Sequence, residues 1–186
     1  MSDETELLSL HAGRADEKSL VAKIADLVNG VYEVAEKGLW TDSATRTSRD
    51  EIATLIRAGQ ITVVRAGDRI VGCVRIQGLD ESTSEFGMLA ASPDLRGTGL
   101  GRRLVRFAEQ DSVNCGRHTM QLELLVPRTW IHPSKEFLAG WYERIGYEVV
   151  RTGTIDEAYP ELAPMLATPC DFVIYQKDLK ALALEA

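Results

Sequence analysis

Between Glu85 and Gln110 the chain reads E-F-G-M-L-A-A-S-P-D-L-R-G-T-G-L-G-R-R-L-V-R-F-A-E-Q. A short apolar run opens the stretch, Ser92-Pro93-Asp94 breaks it, and glycines at 97, 99 and 101 punctuate a turn. Leu100, Leu104, Phe107 and Ala108 then recur at helical spacing until Asn114-Cys115-Gly116 ends the pattern. A strand, a tight turn and a helix in this order lead into a second strand by a right-handed crossover, and the apolar run Met120 to Val126 is that strand, parallel to the first. The chain is thereby directed to the α/β class.

The turn is also marked chemically. Gly97, Gly99 and Gly101 have no side chains to hold a ligand off the backbone, and they tolerate positive φ. Their amides and the unpaired N–H groups of the helix's first turn converge on an anion, and Arg96, Arg102, Arg103 and Arg106 add positive charge. The pattern describes a cradle for a phosphorylated cofactor. A Walker loop is excluded, because Gly101 is followed by Arg102-Arg103 where Lys and Ser or Thr are required. A dinucleotide fingerprint is excluded too, since the glycines run G-x-G-x-G and no acidic residue about 20 positions on ends a second strand.

What remains is R-x-x-G-x-G, and Arg96, Gly99 and Gly101 resemble the coenzyme A pyrophosphate loop of the GNAT acetyltransferases, with Leu89 to Pro93 resembling the strand that leads into it. A second segment, Trp141 to Tyr147 (W-Y-E-R-I-G-Y), resembles the family's fourth-helix motif.

The remaining elements agree with that order. Leu7 to His11 reads as a first strand, and Asp16 offers an N-cap to a helix whose apolar face is Leu20, Val21, Ile24, Leu27, Val28 and Val31. Ser48-Arg49-Asp50-Glu51 has the form of a capping box for a second helix, stopped at Gly59. Ile61 to Arg65 and Ile70 to Ile76 form an antiparallel hairpin. Phe137, Trp141 and Ile145, with Leu138 and Tyr142 beside them, predict a fourth helix, and Tyr147 to Thr152 and Phe172 to Lys177 the last strands. The resulting β-α-α-β-β-β-α-β-α-β-β order matches the GNAT fold, a mixed twisted sheet of about seven strands with about four helices on both faces.

The chain of 186 residues is sized for one domain with a full core. An acidic N-terminus without a basic or apolar leader, and no apolar run of bilayer length, point to the cytoplasm. Cys73, Cys115 and Cys170 are unpaired by spacing and read as thiols of a reducing compartment, and His11, His118 and His132 are too scattered for a ligand set, so no metal is expected. A formal charge of −7 argues against nucleic acid as a partner.

The resemblance implies an acetyl-coenzyme A-dependent N-acetyltransferase acting on a primary amine in a ternary complex. Leu89, Ala90, Ala91, Arg96, Gly97, Thr98, Gly99, Leu100, Gly101 and Arg102 would hold coenzyme A. A lysine-like ammonium loses its proton at a cost of about 4 kcal/mol at neutral pH, so a carboxylate base helps, and Glu85 matches the strand position from which some members supply one. Glu123 is a second candidate, because a carboxylate between Leu122 and Leu124 points to the opposite sheet face from them. Tyr142 matches the family tyrosine that assists the departing thiolate, provided its pKa is lowered.

Two departures from the family pattern are visible. The segment from Pro127 to Lys135 is long and lacks the Asn that often helps hold coenzyme A, which leaves Ser134 or Lys135 to substitute. The stretch from Gly153 to Pro169 is also long and either lines the acceptor site or is a surface loop. Trp40 and Asp42 fall where members often build an acceptor wall suited to a cationic amine. The acceptor is expected to be a small-molecule amine, with no membrane partner and a homodimer allowed. A protein or peptide acceptor, and a non-catalytic acyl-coenzyme A sensor, are the alternatives.

Overall fold

The β-branched and alternating runs pair into one sheet in the computed structural model, which describes residues 5–41 and 45–184. Its strands are β1 (Thr5–Ser9), β2 (Ile61–Ala66), β3 (Arg69–Gly78), β4 (Thr83–Ala91), β5 (Thr119–Pro127), β6 (Glu148–Gly153) and β7 (Cys170–Asp178), in the order β1-β2-β3-β4-β5-β7-β6. Only β4 and β5 run parallel, as the crossover between them requires.

The helices are α1 (Lys18–Ala35), α2 (Arg49–Arg57), α3 (Leu100–Asn114), α4 (Pro133–Arg144) and the single turns α5 (Ile155–Ala158) and α6 (Lys180–Ala183). On one face, Ile24 and Val28 of α1 and Ile52 and Ile56 of α2 bury against Met88 and Ala90. On the other, Leu104 and Ala108 of α3 and Tyr142 of α4 bury against Phe86, Leu122 and Tyr175. This is the α/β sandwich that the sequence pattern implies.

Three local expectations are modified. Asp16 is not the cap of α1: a 3-10 turn from Ala12 to Asp16 precedes the helix, Glu17 holds the cap position, and the Asp16 carboxylate is taken by Arg57 at 2.8 Å. Ser48 caps α2 by accepting from the Glu51 N–H at 3.1 Å, whereas the Glu51 carboxylate accepts from the Thr47 hydroxyl and so leaves the box half made. In α4, Phe137 is 64% exposed, and the buried line passes through Lys135, Leu138 and Tyr142, one residue round the helix from the expected stripe.

Two irregularities position the site. Parallel pairing of β4 with β5 covers only Thr83–Thr119, Ser84–Met120 and Glu85–Gln121, after which the strands diverge. In addition, Met88 and Leu89 of β4 together face Val74 of β3, a bulge in which Met88 takes φ 51°. The bulge resets the alternation, so that Glu85, Gly87, Met88 and Ala90 share the α1 face while Phe86 looks toward α3.

Leu104 is fully buried between α3 and the sheet. Leu104→Ala is expected to cost about 2–5 kcal/mol in urea denaturation, and an unchanged midpoint would contradict this packing.

Candidate active site

The glycine turn has the geometry that an anion cradle needs. Gly97 and Gly99 both take φ +82°, and a Cβ built on either would meet nothing within 4 Å. Gly99 occupies the cap position of α3 in the left-handed conformation, which a β-carbon would strain. Among the described residues, the N–H groups of Gly97, Gly99, Leu100, Gly101 and Arg102 find no hydrogen-bond partner. Arg96 and Arg102 are exposed beside them and, among the described residues, make no ion pair. Arg103 is committed elsewhere, donating to the Thr5 hydroxyl and carbonyl at 2.6 and 3.1 Å. The Leu100 side chain belongs to the core, so its backbone alone is available. These residues fit a pyrophosphate.

The β4 side of the opening is equally suited to an extended ligand. From Phe86 to Ala91 the edge of β4 that faces β5 carries no ladder bonds to it. Leu89 and Ala91 are partly buried toward α3 and Ala90 is fully buried toward α1, so this stretch also presents backbone.

Glu85 is not a solvated strand start. It is 8% exposed, and its two oxygens accept from the Gln77 amide and the Gln121 amide, each at 2.9 Å. The chain of side-chain bonds extends outward, since Gln121 accepts from Gln176 and Gln77 accepts from Arg75. Glu123 stands two residues beyond Gln121 on the same face and carries the Tyr159 hydroxyl at 3.0 Å. Burial first, and then the Glu85 charge beside it, push the Glu123 carboxyl up to about 7, against the hydrogen bond from Tyr159 and the more distant Arg151. A carboxylate poised near neutrality is suited to proton transfer.

Tyr142 lies on the other side of the sheet. It is 5% exposed, packed among Phe86, Trp141, Tyr147 and Tyr175 at centroid distances of 5.0–6.2 Å, and its hydroxyl has no hydrogen-bond partner among the described residues. Burial raises its pKa, with smaller contributions from Tyr32 and Tyr175. The condition under which Tyr142 could protonate a thiolate, a lowered pKa, is not met: its phenol stays neutral, as a hydrogen-bond donor.

The family model described as the acetyltransferase (GNAT) domain matches residues 57–149, half the length of the chain. The chain belongs to the GNAT acetyltransferase family. Among curated proteins no match is found. Solved structures with the same fold include the PaiA N-acetyltransferase of Thermoplasma acidophilum in complex with coenzyme A, with TM-score 0.68, 13% identity, and coverage of 94% of this chain and 99% of that one. An aminoglycoside 6'-acetyltransferase type Ii gives TM-score 0.64 and 16% identity over 94% and 97% of the two chains. The N-acetylglutamate synthase of Neisseria gonorrhoeae, complexed with coenzyme A and N-acetyl-glutamate, gives 0.64 and 15% over 96% of this chain, which spans only 36% of that synthase. At such identities these likenesses establish the GNAT fold.

Both departures from the GNAT pattern join one structure. Lys135 is buried and donates to Glu36 at 2.6 Å, Trp40 donates to the other oxygen of Glu36, and Ser134 donates its N–H to the capping His132. Lys135 is thus occupied and does not replace the missing Asn. The Gly153 to Pro169 excursion binds the α1–α2 connection through the Trp40–Leu166 bridge, with Thr41 N–H to Met165 O at 2.9 Å and Ala167 N–H to Leu39 O at 2.9 Å. Leu39, Leu125, Ile155, Cys170 and Phe172 form a small core beneath. Asp42 lies outside the described residues. Tyr159 falls in the stretch that the sequence offers either as a lining of the acceptor site or as a surface loop, but nothing local marks its bond to Glu123, 36 positions away.

A carboxyl raised from its ordinary 4.5 to about 7 favours the folded state below that ordinary value and loses this contribution as pH climbs toward 7. Glu123→Gln should therefore gain melting temperature relative to the unmodified protein between about pH 5 and about pH 8. A difference that stays constant across that range would remove the perturbed carboxyl.

Proposed function

We propose that the chain is an acetyl-coenzyme A-dependent N-acetyltransferase for a small primary amine. The observation that carries this reading is the divergence of β4 from β5, with free amides at one end, a pair of carboxylates on one face and the unpartnered Tyr142 hydroxyl on the other. Arg96, the backbone from Gly97 to Arg102, and the β4 edge at Leu89, Ala90 and Ala91 would hold acetyl-coenzyme A, which would supply an activated thioester. Coenzyme A in two fold relatives supports that assignment.

The amine reaches the thioester from the α1 face. Glu123, backed by Glu85, would take the first ammonium proton; the nitrogen then bonds to the carbonyl carbon, the carbon–sulfur bond breaks, and the second nitrogen proton passes to solvent as the amide forms. Because Glu85 has both oxygens engaged and Glu123, among the described residues, has one oxygen without a hydrogen-bond partner, we assign the proton-accepting role to Glu123 ahead of the expected Glu85. Sulfur leaves as a thiolate, and Tyr142 stabilises it by donating a hydrogen bond. A small acceptor suits the joined loops better than a peptide does, because backbone bonds tie the α1–α2 connection to the β6–β7 excursion across that face.

Two substitutions test the two halves separately. Tyr142→Phe should lower kcat for thiol release roughly 100-fold with little change in acetyl-coenzyme A affinity, and unchanged turnover removes Tyr142 from the mechanism. Gly99→Asp sets a β-carbon and a negative charge against the cradle, so coenzyme A binding in calorimetry should weaken by at least roughly tenfold. Undiminished affinity in a folded variant would mean that the cofactor binds elsewhere.

A further inference from the structure

The centre of β4 holds an opening that the transfer chemistry alone does not account for. Gly87 lies mid-strand on the α1 face, and a Cβ built there meets nothing within 4 Å. A glycine inside a strand commonly marks a place where a ligand comes close. Directly opposite Gly87 on β3 stands Arg75, and on the β5 side Glu123 lies two residues beyond Gln121, the last residue that pairs with β4. A cation on the strand paired with β4 and an anion on the strand that has parted from it thus flank the same face of the gap at Gly87.

Neither charge is neutralised by the other. Arg75 is half-buried, donates to the Gln60 and Gln77 side-chain oxygens at 2.8 and 2.6 Å, and makes no ion pair among the described residues. Its guanidinium retains donors beyond those two bonds. Tyr159 adjoins them: its hydroxyl is bonded to Glu123 and lies within the electrostatic influence of both Glu85 and Arg75. A half-buried guanidinium without an acid partner is costly unless something anionic completes it.

We propose that the slot over Gly87 receives an acceptor bearing a carboxylate close to its reacting nitrogen, an α-amino acid or a molecule of that form, with the carboxylate on Arg75 and the ammonium on Glu123. A polycation is disfavoured, because Arg75 would repel its second charge, and a neutral-tailed amine leaves the guanidinium uncompensated. The proposal rests on the N-acetyltransferase reading and specifies its substrate class.

The test is thiol release from acetyl-coenzyme A by the full chain, with a panel of α-amino acids, each paired with its carboxamide and its decarboxylated amine. At least one free amino acid should be consumed, with kcat/KM falling roughly 10- to 100-fold when the carboxylate is amidated or removed. Arg75→Gln should abolish that preference while acetyl-coenzyme A affinity, read by calorimetry, is unchanged. Equal or better turnover of the amides, the simple amines or short peptides by the unmodified chain overturns the proposal and leaves the transferase standing. No release with any amine, while acetyl-coenzyme A still binds, overturns the transferase reading and the proposal together. The analogue series uses the unmodified protein, so the outcome does not depend on the variant folding.

Discussion

The two amide hydrogen bonds onto Glu85 hold the point on which the site turns. Gln77 reaches it from β3 and Gln121 from β5, where the parallel ladder makes its last contact. Below that point three strands are cross-linked by ladder and side-chain bonds; above it β4 and β5 part. An ionisable group at such a place is an expensive hinge pin, since a desolvated carboxylate needs its acceptor sites filled. Both its oxygens are filled. The backbone edge of β4 exposed above the pin is what an extended ligand can pair with, and the bulge at Met88 turns the following residues so that the strand end still buries its apolar side chains.

Electrostatics then separates the roles of neighbouring groups. Glu123 is close enough to Glu85 to be raised by it, yet open enough to exchange a proton, whereas Tyr142 is sunk among rings that keep it neutral. The proton acceptor and the hydrogen-bond donor stand on opposite faces and meet only through the parted strands. Separation by a sheet keeps a base and a phenol from quenching each other in a direct hydrogen bond.

Much of this was readable in the residues. The strand–turn–helix from Glu85 to Gln110, the crossover, the hairpin and the positive-φ glycines depend on neighbours in sequence, and local pattern reports them well. Ser48 as a cap is local and was legible; Asp16 was not, because its carboxylate is claimed by Arg57, 41 positions away. The face that α4 buries was displaced by one residue, since a stripe at i, i+4, i+8 and its neighbour at i+1, i+5 are equally apolar here, and only the packing of Tyr142 against Phe86 and Tyr175 decides between them. In the site, Glu85, Glu123 and Tyr142 carry local signals. The Tyr159–Glu123 bond and the placing of Arg75 and Glu123 on either side of Gly87 do not, because they exist only once strands distant in sequence are brought together. The direction of the Tyr142 pKa was likewise beyond reach, as desolvation is a property of the assembled core.

The joined loops over the acceptor face have their own apolar cluster, built from Leu39, Leu125, Ile155, Cys170 and Phe172, apart from the core that seats α3 and the glycine turn. In descent, such a partition lets one half of a transferase drift while the other is held. Substitutions around Trp40 and Leu166 can reshape the face on which the two loops meet without disturbing the packing that seats α3 and the glycine turn, so the two ends of the molecule are free to diverge at different rates.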